Sequence, residues 1–313
     1  MNLKPIHIAI FIGAIVLFLS IPLFASPYYV DLITKVLILT IFSASVNLLL
    51  GYTGLPSIGH AAFLGVAAYT VGILTTNGFQ NFWSNSLLGI VSATLLAALF
   101  GLICVHTRGI RFLMITLALG EVIWGLVIKC RHITGGEDGI VGIKRPHHEF
   151  FWSLVGISNF YYFVCIVTIF TLFILYIIVR SPFGLSLVGI REDEERMLVL
   201  GYKVWLHKYL SFVLSGLFSG IAGVLWVYYN TYVGISSVGI MLSTNGLLMP
   251  ILGGANFFLG PAVGAAVMTL VENIVSSLTT HWLMILGLLY IVVIVFVPNG
   301  ILGGISDKLR GKV

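Results

Sequence analysis

Apolar runs recur along almost the whole chain, and each is close to the roughly 20 residues that a helix needs to cross a bilayer. Because lipid offers no hydrogen-bond partners, such runs satisfy their backbone groups by forming helices. The chain is 59% hydrophobic and 9% charged. Soluble domains are about 25% charged, so a soluble fold is excluded. We therefore predict an all-α, polytopic integral membrane protein in which residues 1–313 form a single transmembrane domain.

The boundaries of the apolar runs predict about ten helices. They lie near 7–25, 31–50, 57–76, 86–105, 111–128, 159–180, 207–229, 241–254, 258–276 and 281–298. The first run follows Lys4 as in a signal peptide, but no small-residue cleavage site follows it, so we interpret it as an uncleaved helix. Only Gly253-Gly254-Ala255-Asn256 separates the eighth and ninth runs, which form either two spans or one broken, re-entrant element.

Lysine and arginine residues set the expected orientation, because cytoplasmic loops of membrane proteins carry an excess of them. With both termini in the cytoplasm, eleven of these residues face inwards and five face outwards. The inner ones are Lys4, Arg108, Arg111, Arg180, Arg191, Arg196, Lys203, Lys208, Lys308, Arg310 and Lys312. The outer ones are Lys35, Lys129, Arg131, Lys144 and Arg145. This bias predicts cytoplasmic termini, a cytoplasmic loop at about 181–207 and an extracytoplasmic loop at about 129–158.

The stretch 180–208 carries nine of the chain's 27 Asp, Glu, Lys and Arg residues. Within 190–200, the six charged residues 191–196 are flanked by the apolar residues Ile190 and 197–200. The acidic residues precede Arg196, which suits the dipole of one short helix that stops at Gly201. A lipid-binding helix has a polar face rich in Lys and Arg, whereas this one has four acidic residues in a row. We therefore expect the loop to bind a partner protein; a merely solvated loop is the alternative.

The segment 51–65 interrupts an apolar stretch with residues that bend the backbone. Its glycines and its proline permit an unwound conformation, and Ser57 is a plausible N-cap for the helix that follows. A helix N-terminus inside the membrane presents free N–H groups and a positive dipole to a carboxylate. We hypothesise that the segment borders a translocation path; close packing at the glycines is the alternative. The predicted path residues are Asn47, Gly51, Gly54, Ser57, Gly59, His60, Gly253 and Gly254. For His60 alone, we favour a buried structural histidine over a substrate contact.

Two apolar segments, 63–68 and 258–266, are similar to each other, and each follows a glycine-interrupted stretch. Paired interrupted helices in two halves of a chain are typical of transporters whose pathway lies between the halves. The alternative is the general similarity of Gly- and Ala-rich membrane helices.

Glu121 and Glu272 lie within predicted spans, where an unpaired charge is costly. We favour a hydrogen bond to a neighbouring helix or a second chain; proton coupling is the alternative. The sequence contains no metal-ligand spacing and no Gly-x-x-x-x-Gly-Lys-Ser/Thr phosphate loop. We therefore expect no metal, no cofactor and no ATP site of its own. The basic residues lie at span ends rather than in one patch, so we also expect no nucleic-acid binding. The lack of a catalytic cluster disfavours a membrane-embedded enzyme.

Several motifs occur in order along residues 40–303. They are Asn47-Leu-Leu-Leu-Gly51-Tyr-Thr-Gly54-Leu-Pro-Ser57-Ile-Gly59-His60-Ala-Ala-Phe63-Leu-Gly65, Thr134-Gly135-Gly136-Glu137-Asp138-Gly139, the Gly189–Gly201 loop, Leu252-Gly253-Gly254, Trp282 to Gly287, and Pro298-Asn299-Gly300. This ordered set resembles the branched-chain amino acid permeases of bacterial ABC importers, and within the LivH/LivM family it is closest to the LivM-type subunit. The family loop usually continues into a pair of small residues where this chain has Arg196-Met197. This departure bears on how the loop docks, not on whether the loop exists.

The resemblance implies an ABC importer permease fold in the bacterial inner membrane, in which residues 189–201 form a coupling helix that inserts into an ATPase subunit. The implied coupling residues are Gly189, Arg191, Glu192, Asp193, Glu194, Arg196, Leu198 and Gly201. The implied partners are a LivH-like second permease subunit, two cytoplasmic LivG/LivF-like ATPase subunits and an extracytoplasmic substrate-binding protein. The implied substrates are leucine, isoleucine and valine. A urea or short-amide permease is the nearest alternative, and an ATP-independent secondary transporter or channel is a more distant one.

Overall fold

The computed structural model describes residue 22, residues 25–79, 81–146 and 153–279, and then residues 281, 283–285, 287, 288, 290, 291 and 299–304. The α-helices are α1 (Pro27–Asn47), α2 (His60–Thr76), α3 (Phe82–Cys104), α4 (Ile110–Lys129), α5 (Arg131–Thr134), α6 (Ile157–Arg180), α7 (Pro182–Glu192), α8 (Glu194–Val199), α9 (Val204–Asn230), α10 (Ile240–Gly253) and α11 (Gly260–Leu278). A π-helix, Leu48–Thr53, continues α1, and a 3₁₀ turn, Ile235–Ser237, precedes α10. Two short strands, β1 (Ile140–Val141) and β2 (Tyr232–Val233), pair antiparallel.

Seven helical segments in the described residues are long and apolar enough to cross a membrane. They are Pro27–Thr53, Phe82–Cys104, Ile110–Lys129, Ile157–Arg180, Val204–Asn230, Ile235–Gly253 and Gly260–Leu278. An all-α, multi-pass membrane architecture is therefore confirmed. The predicted helix 7–25 lies almost entirely outside the described residues, and 281–298 does so in large part, so the number of ten stays a prediction. Lys35, counted above with the outer residues, is part of α1, within the predicted helix 31–50.

The helices α1 and α9 form the centre of the bundle. They belong to the two most buried candidate spans, at 78% and 67%. The Tyr229 hydroxyl donates to the Asp31 carboxylate at 2.7 Å, and the Ser215 hydroxyl donates to the Ser45 carbonyl at 2.6 Å. As numbers rise along α1 they fall along α9, so the two helices are antiparallel. The neighbours α2 and α3 pack on α9, whereas α6, α10 and α11 pack on α1.

Small residues let these helices approach closely, as expected from the sequence. A Cβ added at Gly216 would overlap the Ala97 side chain of α3, and one added at Gly223 would overlap the backbone of α2. On the other side of the bundle, a Cβ at Gly264 would overlap the Met249 carbonyl of α10. Gly216, Gly223 and Gly264 therefore lie on helix-packing surfaces.

The helix α2 begins inside the bundle. It has 17 residues, which span about 25 Å and fall short of the roughly 30 Å hydrocarbon core. Its first residue, His60, is fully buried beside Ser215, the twelfth residue of the 27-residue helix α9. After the π-helix ends at Thr53, residues 54–59 therefore turn back into the bundle, and the predicted interruption near 51–59 is confirmed.

A second break in the helical structure follows α9. Here the chain runs in the opposite direction to residues 54–59. Along 231–243, Val233 lies beside Gly72, whereas Ser243 accepts a hydrogen bond from the Ala61 N–H at 2.9 Å. The chain thus descends alongside α2, and α10 starts within the bundle. The two short helices meet near their N-termini and run towards opposite faces. The break before α10, rather than the turn at 253–254, is the counterpart of 54–59, so the expected pairing of 63–68 with 258–266 is wrong.

The bundle has two distinct faces. The face that carries residues 181–203 is called the loop face below, and β1 and β2 lie at the opposite face. There Arg145 donates to the carbonyl oxygens of Tyr228 and Tyr229 at 2.8 and 2.9 Å, and its guanidinium lies 4.3 Å from the Phe160 ring centroid. Burial lowers the pKa of Arg145, and the nearby Asp31 carboxylate acts in the opposite direction. These contacts close the end of the central helix pair.

Candidate functional site

The charged loop forms two short helices rather than the single one expected. The first, α7, ends at Glu192, and α8 begins at Glu194. Between them Asp193 has extended backbone angles (φ −156°, ψ 99°), and its carboxylate accepts a hydrogen bond from the Arg196 N–H at 3.0 Å. Asp193 is an N-cap that starts a new helix, so the single-helix prediction is wrong. Gly201, with a φ of 86°, follows α8 at the predicted stop.

The second helix, α8, presents apolar side chains to the outside. None of its residues is buried, and Leu198, Val199 and Leu200 are 50%, 88% and 63% exposed. A Cβ at Gly189 would lie 2.8 Å from the Met197 sulfur, so this glycine lets α8 fold back on α7. Consecutive exposed apolar residues on a short helix form a surface suited to the groove of another protein.

Glu194 faces the chain itself rather than the outside. Its Oε2 atom lies 2.6 Å from Lys208 Nζ and 2.8 Å from Arg108 Nε. Lys208 belongs to the first turns of α9, and Arg108 lies between α3 and α4. One carboxylate therefore fastens α8 to two other parts of the bundle.

Arg191 also points into the bundle, from the last turn of α7. Its Nη1 atom donates to the Gly51 carbonyl oxygen and, at 3.0 Å, to Asn256 Oδ1. Its Nη2 atom donates to Glu192 Oε1 at 2.6 Å. These groups border a cleft of about 290 Å³. The cleft is lined by Leu50, Gly51, Arg191, Ile251, Ala255, Asn256 and Asn299.

His60 lies at the centre of a buried hydrogen-bond network. Its Nδ1 atom is 2.9 Å from Ser57 Oγ, and its Nε2 atom is 2.6 Å from Ser215 Oγ. Because Ser215 donates its hydroxyl proton to the Ser45 carbonyl, it accepts from His60, which assigns the neutral Nε2–H tautomer. The network joins α1, α2 and α9. Both ring nitrogens are bound within the chain, which is the geometry of a structural histidine.

The eight predicted path residues lie in separate places. Gly51 and Gly54 lie against Arg191 at the loop face. Deeper in the bundle, a Cβ at Gly59 would overlap the Thr116 carbonyl of α4. Ser57 and His60 belong to the buried network, and Gly253 and Gly254 form the end of α10.

Asn47 is the one predicted path residue with an unsatisfied polar atom. It is 2% exposed, and its Oδ1 atom has no hydrogen-bond partner within the described part of the chain. It lines a narrow gap between α1, α6 and the start of α11, next to Leu175 and Pro261.

The two carboxylates within the spans have different surroundings. Glu272 Oε2 lies 3.4 Å from Lys35 Nζ, so it has the partner on a neighbouring helix that we favoured. Glu121 is exposed on α4 and has no hydrogen bond or ion pair to another described residue. No group of three or more His, Cys, Asp or Glu among the residues that the structure describes could hold a metal ion.

Sequence reasoning missed Arg108, Lys208, Ser215 and Asn256, all of which contact predicted site residues. Lys208 carried a weak signal, because a lysine at the start of an apolar run needs an anionic partner. The other three have ordinary sequence surroundings, and only the tertiary fold brings them to the site.

Residues 28–297 match the family model described as "Branched-chain amino acid transport system / permease component". The chain belongs to this family. The match confirms the resemblance carried by the ordered motifs, and it shows that the chain is a transport permease.

Curated relatives of this permease cover most of its length. The LivM high-affinity branched-chain amino acid transport permease of Salmonella typhimurium is 26% identical over 93% of this chain and 74% of its own length. LivM of Escherichia coli K12 is 25% identical over 96% of this chain and 76% of its own. A probable LivM of Methanocaldococcus jannaschii is 24% identical over 87% and 94%. No solved structure matches the permease.

Proposed function

We propose that this permease is the transmembrane subunit of an ABC importer that moves leucine, isoleucine and valine across the bacterial inner membrane. Membership of the permease family supports the transport role. The names of the three relatives support the substrate class. ATP is hydrolysed by separate subunits, which must act on the permease through a surface that it offers them. The exposed apolar side chains of Leu198 and Val199 on α8 are the observation that carries this part of the proposal.

In this proposal, the loop face lies in the cytoplasm. Seven described lysines and arginines belong to it: Arg108, Arg111, Arg180, Arg191, Arg196, Lys203 and Lys208. Four belong to the opposite face: Lys129, Arg131, Lys144 and Arg145. This distribution agrees with the excess of positive charge in cytoplasmic loops. The cytoplasmic position of both termini is part of the same proposal.

Residues 189–201 dock into an ATPase subunit. Leu198 and its apolar neighbours enter a groove of that subunit, while Glu194 and Arg191 fasten the loop to the bundle. A push on α8 therefore reaches the transmembrane helices through these contacts. The complete importer contains a LivH-like second permease, two LivG/LivF-like ATPase subunits and a substrate-binding protein. The binding protein delivers the amino acid at the opposite face, near the 129–158 loop.

The translocation path passes the point where α2 and α10 meet. Their N-termini carry the positive ends of two helix dipoles, which favour the carboxylate of an amino acid. The bordering residues in this proposal are Asn47, Gly51, Gly54, Ser57, Gly59, His60, Gly253 and Gly254. His60 shapes the path through its network rather than by contact with substrate.

Uptake of radiolabelled leucine by proteoliposomes that contain the whole complex tests the proposal. We expect uptake that requires ATP and the binding protein, and that isoleucine and valine inhibit but urea does not. Uptake without the ATPase subunits would identify a secondary transporter instead. Transport of urea in place of leucine would keep the ABC class and overturn the substrate.

A single substitution tests the docking surface. Leu198→Asp places a charge on the apolar surface of α8 without touching Arg191 or Glu194, so it is expected to abolish ATP-driven uptake while the protein still reaches the membrane. Leu278→Asp is the matched control, because Leu278 is 79% exposed at the opposite end of the bundle. Normal uptake by the Leu198→Asp variant would show that α8 is not the docking surface.

A further inference from the structure

The guanidinium of Arg191 contacts two segments that are far apart in sequence. Its Nη1 atom donates to the carbonyl of Gly51, in the π-helix that ends α1, and to Asn256, in the turn between α10 and α11. These segments are connected to the two short helices α2 and α10, which meet inside the bundle at Ala61 and Ser243. One side chain of the loop thus holds the loop-face ends of both broken elements.

The orientation of Arg191 is fixed from two sides. Its Nε and Nη2 atoms lie 3.2 and 2.6 Å from Glu192 Oε1, which holds the guanidinium plane. Its aliphatic stem covers Gly54, where an added Cβ would lie 2.7 Å from Arg191 Cγ. Gly54 has a φ of 74°, a conformation that other residues rarely adopt. The chain therefore leaves room for this arginine at the point where it turns back into the bundle.

The loop has two anchors with different destinations. Glu194 fastens α8 to Lys208 and Arg108, which belong to α9 and to the α3–α4 connection. Arg191 fastens α7 to the π-helix before the first break and to the turn after α10. Its positive charge lies at the C-terminal end of the π-helix, where carbonyl oxygens favour a cation. Of the two anchors, only Arg191 connects the docking loop to these two segments.

We infer that Arg191 is a positioning residue that transmits movement of the 189–201 segment at once to the π-helix before the first break and to the turn after α10. The inference rests on the proposed function, because the movement originates in the ATPase subunits. When α7 shifts, its contacts to Gly51 and Asn256 shift together, so the π-helix and the turn after α10 move as a unit. When α7 is at rest, the same contacts hold these two segments together beside the cleft.

Three variants and one control separate this role from general stability. Arg191→Met keeps the stem over Gly54 and removes the donors. Arg191→Lys keeps the charge but not the forked geometry. Asn256→Ala removes one of the two acceptors. Arg180→Met is the control, because Arg180 is exposed at the same face, lies 5.4 Å from the Tyr176 ring centroid and makes no hydrogen bond to a described residue.

Hydrogen exchange of the full chain in the assembled complex tests the link itself, whatever the substrate. In Arg191→Met, we expect the amides of both 48–56 and 253–260 to exchange about tenfold faster, the size expected when charge-assisted hydrogen bonds are lost. Asn256→Ala should affect mainly 253–260, and Arg180→Met neither segment. Unchanged exchange of either segment in Arg191→Met would overturn the inference.

The ratio of leucine imported to ATP hydrolysed tests the consequence. In Arg191→Met we expect about a tenfold lower ratio, corresponding to the loss of the hydrogen bonds of Arg191, while assembly and most ATP hydrolysis remain. Arg191→Lys should lie between this variant and the wild type. A parallel loss of assembly and hydrolysis would reveal a merely structural residue and overturn the inference. If the wild type itself imports no leucine, the proposed function fails, and the exchange result alone decides whether the link exists.

Discussion

The ammonium nitrogen of Lys208 lies 2.6 Å from Glu194 Oε2, although Lys208 is only 3% exposed. The same oxygen lies 2.8 Å from Arg108 Nε. One carboxylate therefore neutralises cations from two parts of the fold and holds α8 on the bundle. Removing the carboxylate would leave the Lys208 charge buried without an anionic partner in the described structure, which is the costly way to break an ion pair.

Glu194→Gln is expected to lower the free energy of unfolding by about 3 kcal/mol and the unfolding temperature by several degrees. Adding Lys208→Met removes the unpaired cation, so the double variant should recover most of the loss. Thermal unfolding of the purified single and double variants in detergent measures both effects. A Glu194→Gln variant that is as stable as the wild type would show that this pair does not anchor α8.

His60→Gln is expected to cost about 1–3 kcal/mol of stability, because one amide group cannot replace both ring nitrogens between Ser57 and Ser215. Since the ring nitrogens bind the chain itself, the KM for leucine uptake should stay close to that of the wild type. Unfolding in detergent and uptake kinetics measure the two quantities separately. A raised KM at unchanged stability would mean that His60 contacts the substrate.

The sequence was sufficient to predict the long apolar helices of the described residues and one of the two breaks. Apolar runs of membrane-spanning length define the helices, since lipid leaves the backbone no other way to satisfy its hydrogen bonds. The glycines near 51–59 correctly indicated a break, because glycines and a proline together permit an unwound backbone. The break at 231–239 carries a weaker signal, Gly234 and Gly239 without a proline, and was missed.

The contacts of the loop could not be predicted in the same way. The split at Asp193 results from a local competition in which a side chain caps a new helix instead of continuing the old one. The contact of Arg191 with Asn256 joins residues 65 positions apart, and it depends on how α7 lies against the turn between α10 and α11. The run of acidic residues indicated a partner protein, yet Glu194 turned out to bind the chain's own cations.

The Lys35–Glu272 pair is expected to be structural rather than part of a proton pathway. Glu272→Gln leaves Lys35 unpaired and should lower stability by about 1 kcal/mol, because both side chains are partly exposed. The double variant with Lys35→Met should regain that loss. ATP-driven leucine uptake by both variants should be insensitive to collapse of the proton gradient. A stably folded double variant that has lost uptake would assign these residues to transport.

Gly264→Ala is expected to destabilise the protein by about 1–3 kcal/mol or more, because its added Cβ would overlap the Met249 carbonyl and force α10 away from α11. The matched control is Gly125→Ala on α4, where an added Cβ meets no atom within 4 Å. This control should be neutral or gain up to about 1 kcal/mol, since alanine favours the helix more than glycine. The unfolding temperatures of the two variants measure these changes in stability. Equal effects at both sites would contradict the close approach of α10 and α11. Uptake should fall with stability in Gly264→Ala alone, since the same packing positions Asn256 beside Arg191.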